Sequence, residues 1–208
     1  VTLPVSCSRP PTETAKEVRP ADAVRAFLFD AELRRAGKPT SFRLEIFQTD
    51  SAMALSGRGY LGKGALRGRA TADSLLCYFP STNEYIDEPV LNLMHALECE
   101  IAPKGINLVT LLDRLPDSTS LDPTIKLVSN YQDGKRPSFI VYVENCPWQM
   151  ELTYRQESIA SYRLDEFFFF DGKETRLKAT CREYKQSATV KPDRFEVRIP
   201  ADAQRIIP

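Results

Sequence analysis

With 208 residues, 42% of them hydrophobic, the chain is long enough for one sizeable core and short for two. Its 28 lysines and arginines balance 28 aspartates and glutamates, so no global field draws nucleic acid or an acidic membrane surface, and a nucleic-acid partner is not expected. No apolar run approaches the roughly 18–20 residues that cross a bilayer, and with no initiator Met the chain reads as a soluble, processed or trimmed product.

Residues 1–20 carry Pro4, Pro10, Pro11 and Pro20 among small and charged side chains, a composition that reads as a tether. The folded domain is expected over 21–208. From Ala21, the residues Val24, Phe27, Leu28 and Ala31 recur at i, i+3, i+4 and i+7 before Gly37 and Pro39, which predicts an amphipathic N-terminal helix. Strands follow: Phe42, Leu44 and Ile46 alternate with charges, Ala52 to Leu61 contains Leu55 and two glycines that suit a bend, and Ala65 to Ile86 gives two more strands, with turn residues at Asp73-Ser74 and Pro80 to Asn83. Leu91, Met94 and Leu97, then Leu108, Leu111, Leu112 and Leu115, return to helical spacing and predict two short apolar helices. Strands resume over Phe139 to Glu144, Gln149 to Arg155, Ile159 to Phe169, Glu174 to Tyr184 and Arg194 to Ile199, with Asp171-Gly172 as the clearest hairpin turn. The fold class is therefore α+β: a curved antiparallel half-barrel sheet covered by an N-terminal helix and short lid helices.

Little in the chain points to catalysis. The single histidine, His95, lies in an apolar helix with no second histidine, and the chain has no close cysteine pair, so no metal is expected. Gly57, Gly59, Gly62 and Gly64 lack the strand–loop–helix context and the closing Lys-Ser/Thr of a phosphate loop. Glu45, Glu151, Glu174 and Glu196 alternate with apolar residues as solvent-facing side chains do. No enzyme activity and no cofactor are expected.

Cys7, Cys77, Cys99, Cys146 and Cys181 form no close pair. Two readings stand open: one or two structural bridges in an oxidising compartment, or buried free thiols. Apolar mass is the more informative feature. Phe167 to Phe170 must project two rings to each side of a strand, and the two leucine-rich helices between runs of strands could close over a hydrophobic hollow as readily as fill a core.

The order of elements, the segment Leu75-Leu-Cys-Tyr-Phe-Pro-Ser-Thr-Asn-Glu-Tyr85 and the closing Phe195-Glu-Val-Arg-Ile-Pro200 resemble the LolA/LolB-type lipoprotein carriers. Gly64-Ala-Leu-Arg-Gly-Arg-Ala-Thr-Ala-Asp-Ser74 with Asn83-Glu-Tyr85 is similar to uncharacterised lipoproteins of that fold. The resemblance spans roughly Ala21 to Ile207. Its early strands lack the family's matching Arg and Trp, and the only tryptophan, Trp148, stands at a late turn. The resemblance implies a non-enzymatic monomer of the periplasm or cell envelope that binds or transports a lipid or a lipoprotein acyl chain. The ligand-lining set is then Leu44, Ile46, Leu55, Leu75, Phe79, Leu91, Met94, Leu108 and Leu112. Cys7, after Leu3-Pro-Val-Ser6, reads either as an N-terminal lipid anchor to the outer membrane or as a plain surface or bridged cysteine. The alternative function is an interaction or sensor module of the same fold with a solid core and a protein partner.

Overall fold

The computed structural model describes residues 24–59, 62–99, 107, 109–118, 121, 123–130, 136–159 and 161–207; the tether and Cys7 lie outside them. Six strands come first: β1 (Arg25–Arg35), β2 (Lys38–Gln48), β3 (Ala52–Arg58), β4 (Gly64–Thr71), β5 (Ser74–Phe79) and β6 (Glu84–Pro89). Helix α1 (Val90–Ala96) and a 3₁₀ turn, Thr110–Leu112, precede β7 (Ile125–Asn130), β8 (Ser138–Val143), β9 (Gln149–Ser158), β10 (Ser161–Phe170) and β11 (Arg176–Lys185). A second 3₁₀ turn, Pro192–Phe195, leads to β12 (Gln204–Arg205). All twelve strands belong to one open sheet, ordered β12-β6-β5-β4-β3-β2-β1-β11-β10-β9-β8-β7. Among the described residues, only the β12–β6 pairing is parallel.

The N-terminal segment corrects the sequence reading: it is a strand, not a helix. Phe27, Phe29, Ala31 and Leu33 also alternate, and in β1 they share one face between β2 and β11, with Phe27 opposite Ile46 and Phe29 opposite both Leu44 and Cys181. Full strand pairing on both sides prevails over a helical period that rests on Val24 and Leu28. Ala36 and Gly37, with φ of 48° and 76°, close the β1–β2 hairpin, where positive φ at both turn residues suits the twist of the strands. The glycine read as a helix stop is a hairpin turn.

Register places a single apolar face along the sheet. It carries Phe42, Leu44 and Ile46 from β2, Met53 and Leu55 from β3, Leu66 and Ala70 from β4, and Leu75 and Cys77 from β5. Beyond β1 it continues through Leu177 and Ala179, Phe167 and Phe169, Met150 and Leu152, Phe139 and Val141, and Leu127. We call this the inner face, since the contiguous buried core sits on it. The phenylalanine run divides as alternation requires: Phe167 and Phe169 pack on the core, while Phe168 pairs outward with Lys178, and Arg176 lies over the Phe170 ring. The register shifts at Leu28/Phe29 against β11, at Gly57/Arg58 against β4, and at Ser161/Tyr162 and Leu164/Glu166 in β10, irregularities of the kind that bend strands. This is consistent with a curved half-barrel.

The expected helical cover is smaller than the sequence suggests. Helix α1 forms where Leu91 to Leu97 predicts it, but Leu108 to Leu115 yields only one 3₁₀ turn. The Val109 and Leu111 carbonyls are taken by side chains of the sheet and are thus diverted from an α-helical ladder. Arg194 to Ile199 is not a sheet strand either; it turns through Pro192–Phe195 and continues without ladder partners across the outer face, where Arg194 meets Glu45 and Phe47. Strands β7 and β12 were not anticipated. Glycine matters most at Gly172, in the β10–β11 turn: its φ is 84°, and a Cβ there would lie 2.4 Å from the Pro147 carbonyl oxygen.

Of the cysteines, Cys99 and Cys146 form a disulfide, while Cys77 and Cys181 are buried free thiols. Burial pushes the Cys77 thiol up to about 11 and raises that of Cys181 as well. At pH 8 the Cys77 thiol stays protonated, so both cysteines should resist iodoacetamide in the folded chain and become alkylated in urea, as read by peptide mass.

Candidate functional site

The inner face is packed unevenly. Around β8 to β10, Phe139, Val141, Val143, Leu152, Tyr154 and Leu164 are 0–4% exposed, the dense interior of a folded domain. Toward β2 to β6 the same face mixes buried residues, Ile46, Met53, Ala70 and Cys77, with half-buried ones, Leu44, Leu55, Leu66, Leu75, Phe79 and Ile86. Gly57 and Gly68 lie among them, and their missing side chains let Leu66 lean over Gly57 and Leu55 lean over Gly68.

Ile46 and Leu112 are buried in the core, and Leu44, Leu55, Leu75 and Met94 pack against it at partial burial. Six of the nine expected lining residues therefore belong to one connected apolar cluster. Phe79 stands at the far end of β5, opposite Glu84, and is half-buried outside that cluster. Leu91 projects from α1 and is 42% exposed. Leu108 lies outside the described residues. Leu66 and Ile86 share the face but were missed; the alternation of β4 and β6 was the signal that could have found them.

The segment between α1 and β7 is fastened to the sheet beside β1, β2 and β9 by polar groups that the sequence reading also missed. Gln48, 1% exposed, donates from Nε2 to the Val109 carbonyl and to Asp113 Oδ1 at 3.1 Å. Arg25 Nη1 meets Asp113 Oδ2 at 2.8 Å and Arg25 Nη2 meets Asp50 at 2.6 Å. The Tyr154 hydroxyl donates to the Leu111 carbonyl at 2.9 Å; burial, with the Asp113 charge second, keeps this phenol protonated far above its ordinary range. The disulfide ties Cys99, 1% exposed, to the β8–β9 connection. The segment between α1 and β7 is thus held to the sheet at Cys99, Val109, Leu111 and Asp113. Charge-assisted hydrogen bonds contribute roughly 1.5–3 kcal/mol each, so Asp113→Ala should destabilise the fold by about 2 kcal/mol in urea and speed hydrogen exchange at Val109 to Leu112; unchanged exchange there would show that Asp113 does not hold the cover.

Among the described residues, no group of three or more His, Cys, Asp or Glu side chains is placed to hold a metal ion. His95 is exposed on α1. No helix among them is long and apolar enough to cross a membrane.

No family model matches the chain, and no curated protein matches it in sequence. Solved structures similar to it include a LolA superfamily protein from Nitrosomonas europaea, at 7% identity, covering 87% of this chain and 93% of that one with a TM-score of 0.43. A putative outer membrane lipoprotein-sorting protein domain from Vibrio parahaemolyticus is 6% identical, with 83% and 89% covered and a TM-score of 0.44. A DUF1329 family protein from Desulfovibrio piger is 6% identical, with 85% and 90% covered and a TM-score of 0.46. These are partial likenesses.

Proposed function

We propose that the protein is a non-enzymatic carrier that holds an acyl chain, of a lipid or of a lipidated protein, on the inner face of β2 to β6, beside the segment fastened at β1, β2 and β9. The observation that carries this reading is the packing gradient. One continuous apolar face packs most densely around β8 and β9 yet, at the other end, leaves Leu44, Leu55, Leu75 and Phe79 half-buried beside the buried Ile46, Met53 and Cys77. An acyl chain laid along these side chains would remove their remaining apolar surface from water, worth roughly 25 cal/mol per Å². Among the described residues, the polar groups beside this face are engaged with one another: Gln48, Arg25 and Asp113 in fastening the cover, and Glu88 with Asn92 and Arg205.

The Cys99–Cys146 disulfide supports an oxidising compartment, the periplasm or cell envelope. Cys7 as a lipid anchor to the outer membrane, and a monomeric state, belong to the same proposal. Anchoring is tested by Cys7→Ala expressed with its export signal, which should leave the membrane fraction without loss of fold; unchanged fractionation removes the anchor.

The binding site is tested by filling it. Leu55→Trp with Leu75→Trp adds bulk on the inner face without adding charge, and should weaken uptake of a fluorescent long-chain fatty acid at least about tenfold, or 1.4 kcal/mol, while far-UV circular dichroism is unchanged. A folded double variant that binds as well as the parent would place the acyl chain elsewhere.

A further inference from the structure

A second hollow lies on the opposite side of the sheet. After β11 the chain turns through Pro192–Phe195 and crosses the outer face of β2 to β4, held where Arg194 meets Glu45 at 3.5 Å and lies 5.6 Å from the centre of the Phe47 ring. Phe195, Val197 and Ile199 are half-buried along this strap, while Glu196, Arg198 and Pro200 between and after them are exposed. Between strap and sheet is a hollow of about 260 Å³, whose charged and polar lining comprises Ser56, Arg58, Arg67, Asp193, Arg194 and Glu196.

Register explains how the charges gather. Ser56 on β3 stands opposite Arg67 on β4, Arg58 follows two residues along β3, and Arg43 on β2 stands opposite Arg58. Like charges placed opposite each other across strands repel. Asp30 relieves little of this, since it takes Arg182 at 2.7 Å and lies 3.8 Å from Arg43. Arg58 and Arg67 make no ion pair among the described residues. From the strap, Asp193 and Glu196 face the same hollow; Asp193 likewise has no ion pair there, and Glu196 reaches only Arg198, at 4.0 Å. The hollow thus has a cationic floor with a hydroxyl and an anionic wall, and its volume suits a small molecule.

We propose that this hollow binds a small zwitterion bearing a phosphate and an ammonium group, of the phosphoethanolamine type. Arg58, Arg67 and Ser56 take the phosphate, where guanidinium groups supply paired donors to its oxygens. Asp193 and Glu196 take the ammonium, and Arg194 anchors the wall against Phe47. The site lies across the sheet from the acyl-binding face and stands independently of it.

Titration calorimetry on the full chain with phosphoethanolamine and with inorganic phosphate, alongside co-sedimentation with phosphatidylethanolamine vesicles, tests the assignment. Phosphoethanolamine should bind at one saturable site, about tenfold tighter than phosphate. Arg58→Gln with Arg67→Gln should weaken it at least about tenfold, and Asp193→Asn with Glu196→Gln should abolish the preference for the amine, whereas Arg182→Gln should change nothing. Binding to vesicles alone identifies a lipid headgroup as the source, and binding of the free compound identifies a soluble one; each supports the zwitterion chemistry when the arginine double variant weakens it and the carboxylate double variant loses the preference for the amine. Absence of binding in every arm, or full binding by the folded arginine double variant, overturns the proposal. Should that variant fail to fold, loss or retention of the amine preference in the carboxylate pair decides.

Discussion

Replacing Cys99 and Cys146 by serine is expected to lower the stability of the domain by about 4 kcal/mol, the chain-entropy value for a loop of this size. The bridge spans a sequence separation of 47 residues, and in that account the cost comes from the unfolded chain, which regains the freedom the crosslink removes. The folded state loses something too. Cys99 is 1% exposed and is the first fixed point of the cover beyond α1, so its release leaves Val109, Leu111 and Asp113 as the remaining attachments. Urea unfolding of the double serine variant should show the loss, and dithiothreitol should reproduce it in the parent. A loss below about 1 kcal/mol would mean that the unfolded chain is already restrained in this region, contrary to the loop-closure account.

A comparable effect is expected from Asp165→Ala. This carboxylate is 3% exposed at the bulge of β10, and it meets Arg155 at 3.1 Å, Arg163 at 3.2 Å and Arg136 at 3.7 Å. Arg163 is itself buried, at 8% exposure, and pairs also with Glu157. Breaking a buried charge pair by removing one partner costs about 3–5 kcal/mol, because the other charge is left without compensation. Asp165→Asn keeps an acceptor for Arg163 and should cost less. Arg155 and Arg136 are about half-exposed, so substituting either should cost no more than about 1 kcal/mol. If Asp165→Ala and Arg155→Ala destabilise equally, the buried pair is not the centre of this cluster.

Much of the sheet was legible because alternation is a short-range signal. β2 to β5 and β8 to β11 appear where Leu44 and Ile46 or Met150 and Leu152 alternate with polar residues, or where turn residues bound an apolar run such as Leu75 to Phe79, whereas a third strand, β6, forms where only two were expected over Ala65 to Ile86, and Asp171-Gly172 marked its turn correctly. β1 was misread because Phe27, Leu28 and Ala31 satisfy a helical period while Phe27, Phe29 and Ala31 satisfy a strand period; only the partners β2 and β11, distant in sequence, decide between them. The second lid helix failed for a related reason, since Gln48 and Tyr154 claim the carbonyls it would have used. Six expected lining residues share one apolar cluster because each lies on an alternating strand or in the cover. Phe79 and Leu91 fall outside it, at the end of β5 and on the exposed side of α1. The fastening of the cover by Arg25, Gln48 and Asp113 joins residues too far apart in sequence for any spacing to reveal.

The central claim, that the inner face of β2 to β6 holds an acyl chain, is tested most directly by native mass spectrometry of the chain purified from a bacterial envelope without detergent. The account predicts a species heavier than the polypeptide by one lipid, released on organic extraction and absent from the Leu55→Trp, Leu75→Trp variant. A parent protein that carries no lipid, and acquires none when incubated with the envelope lipid extract, would contradict it.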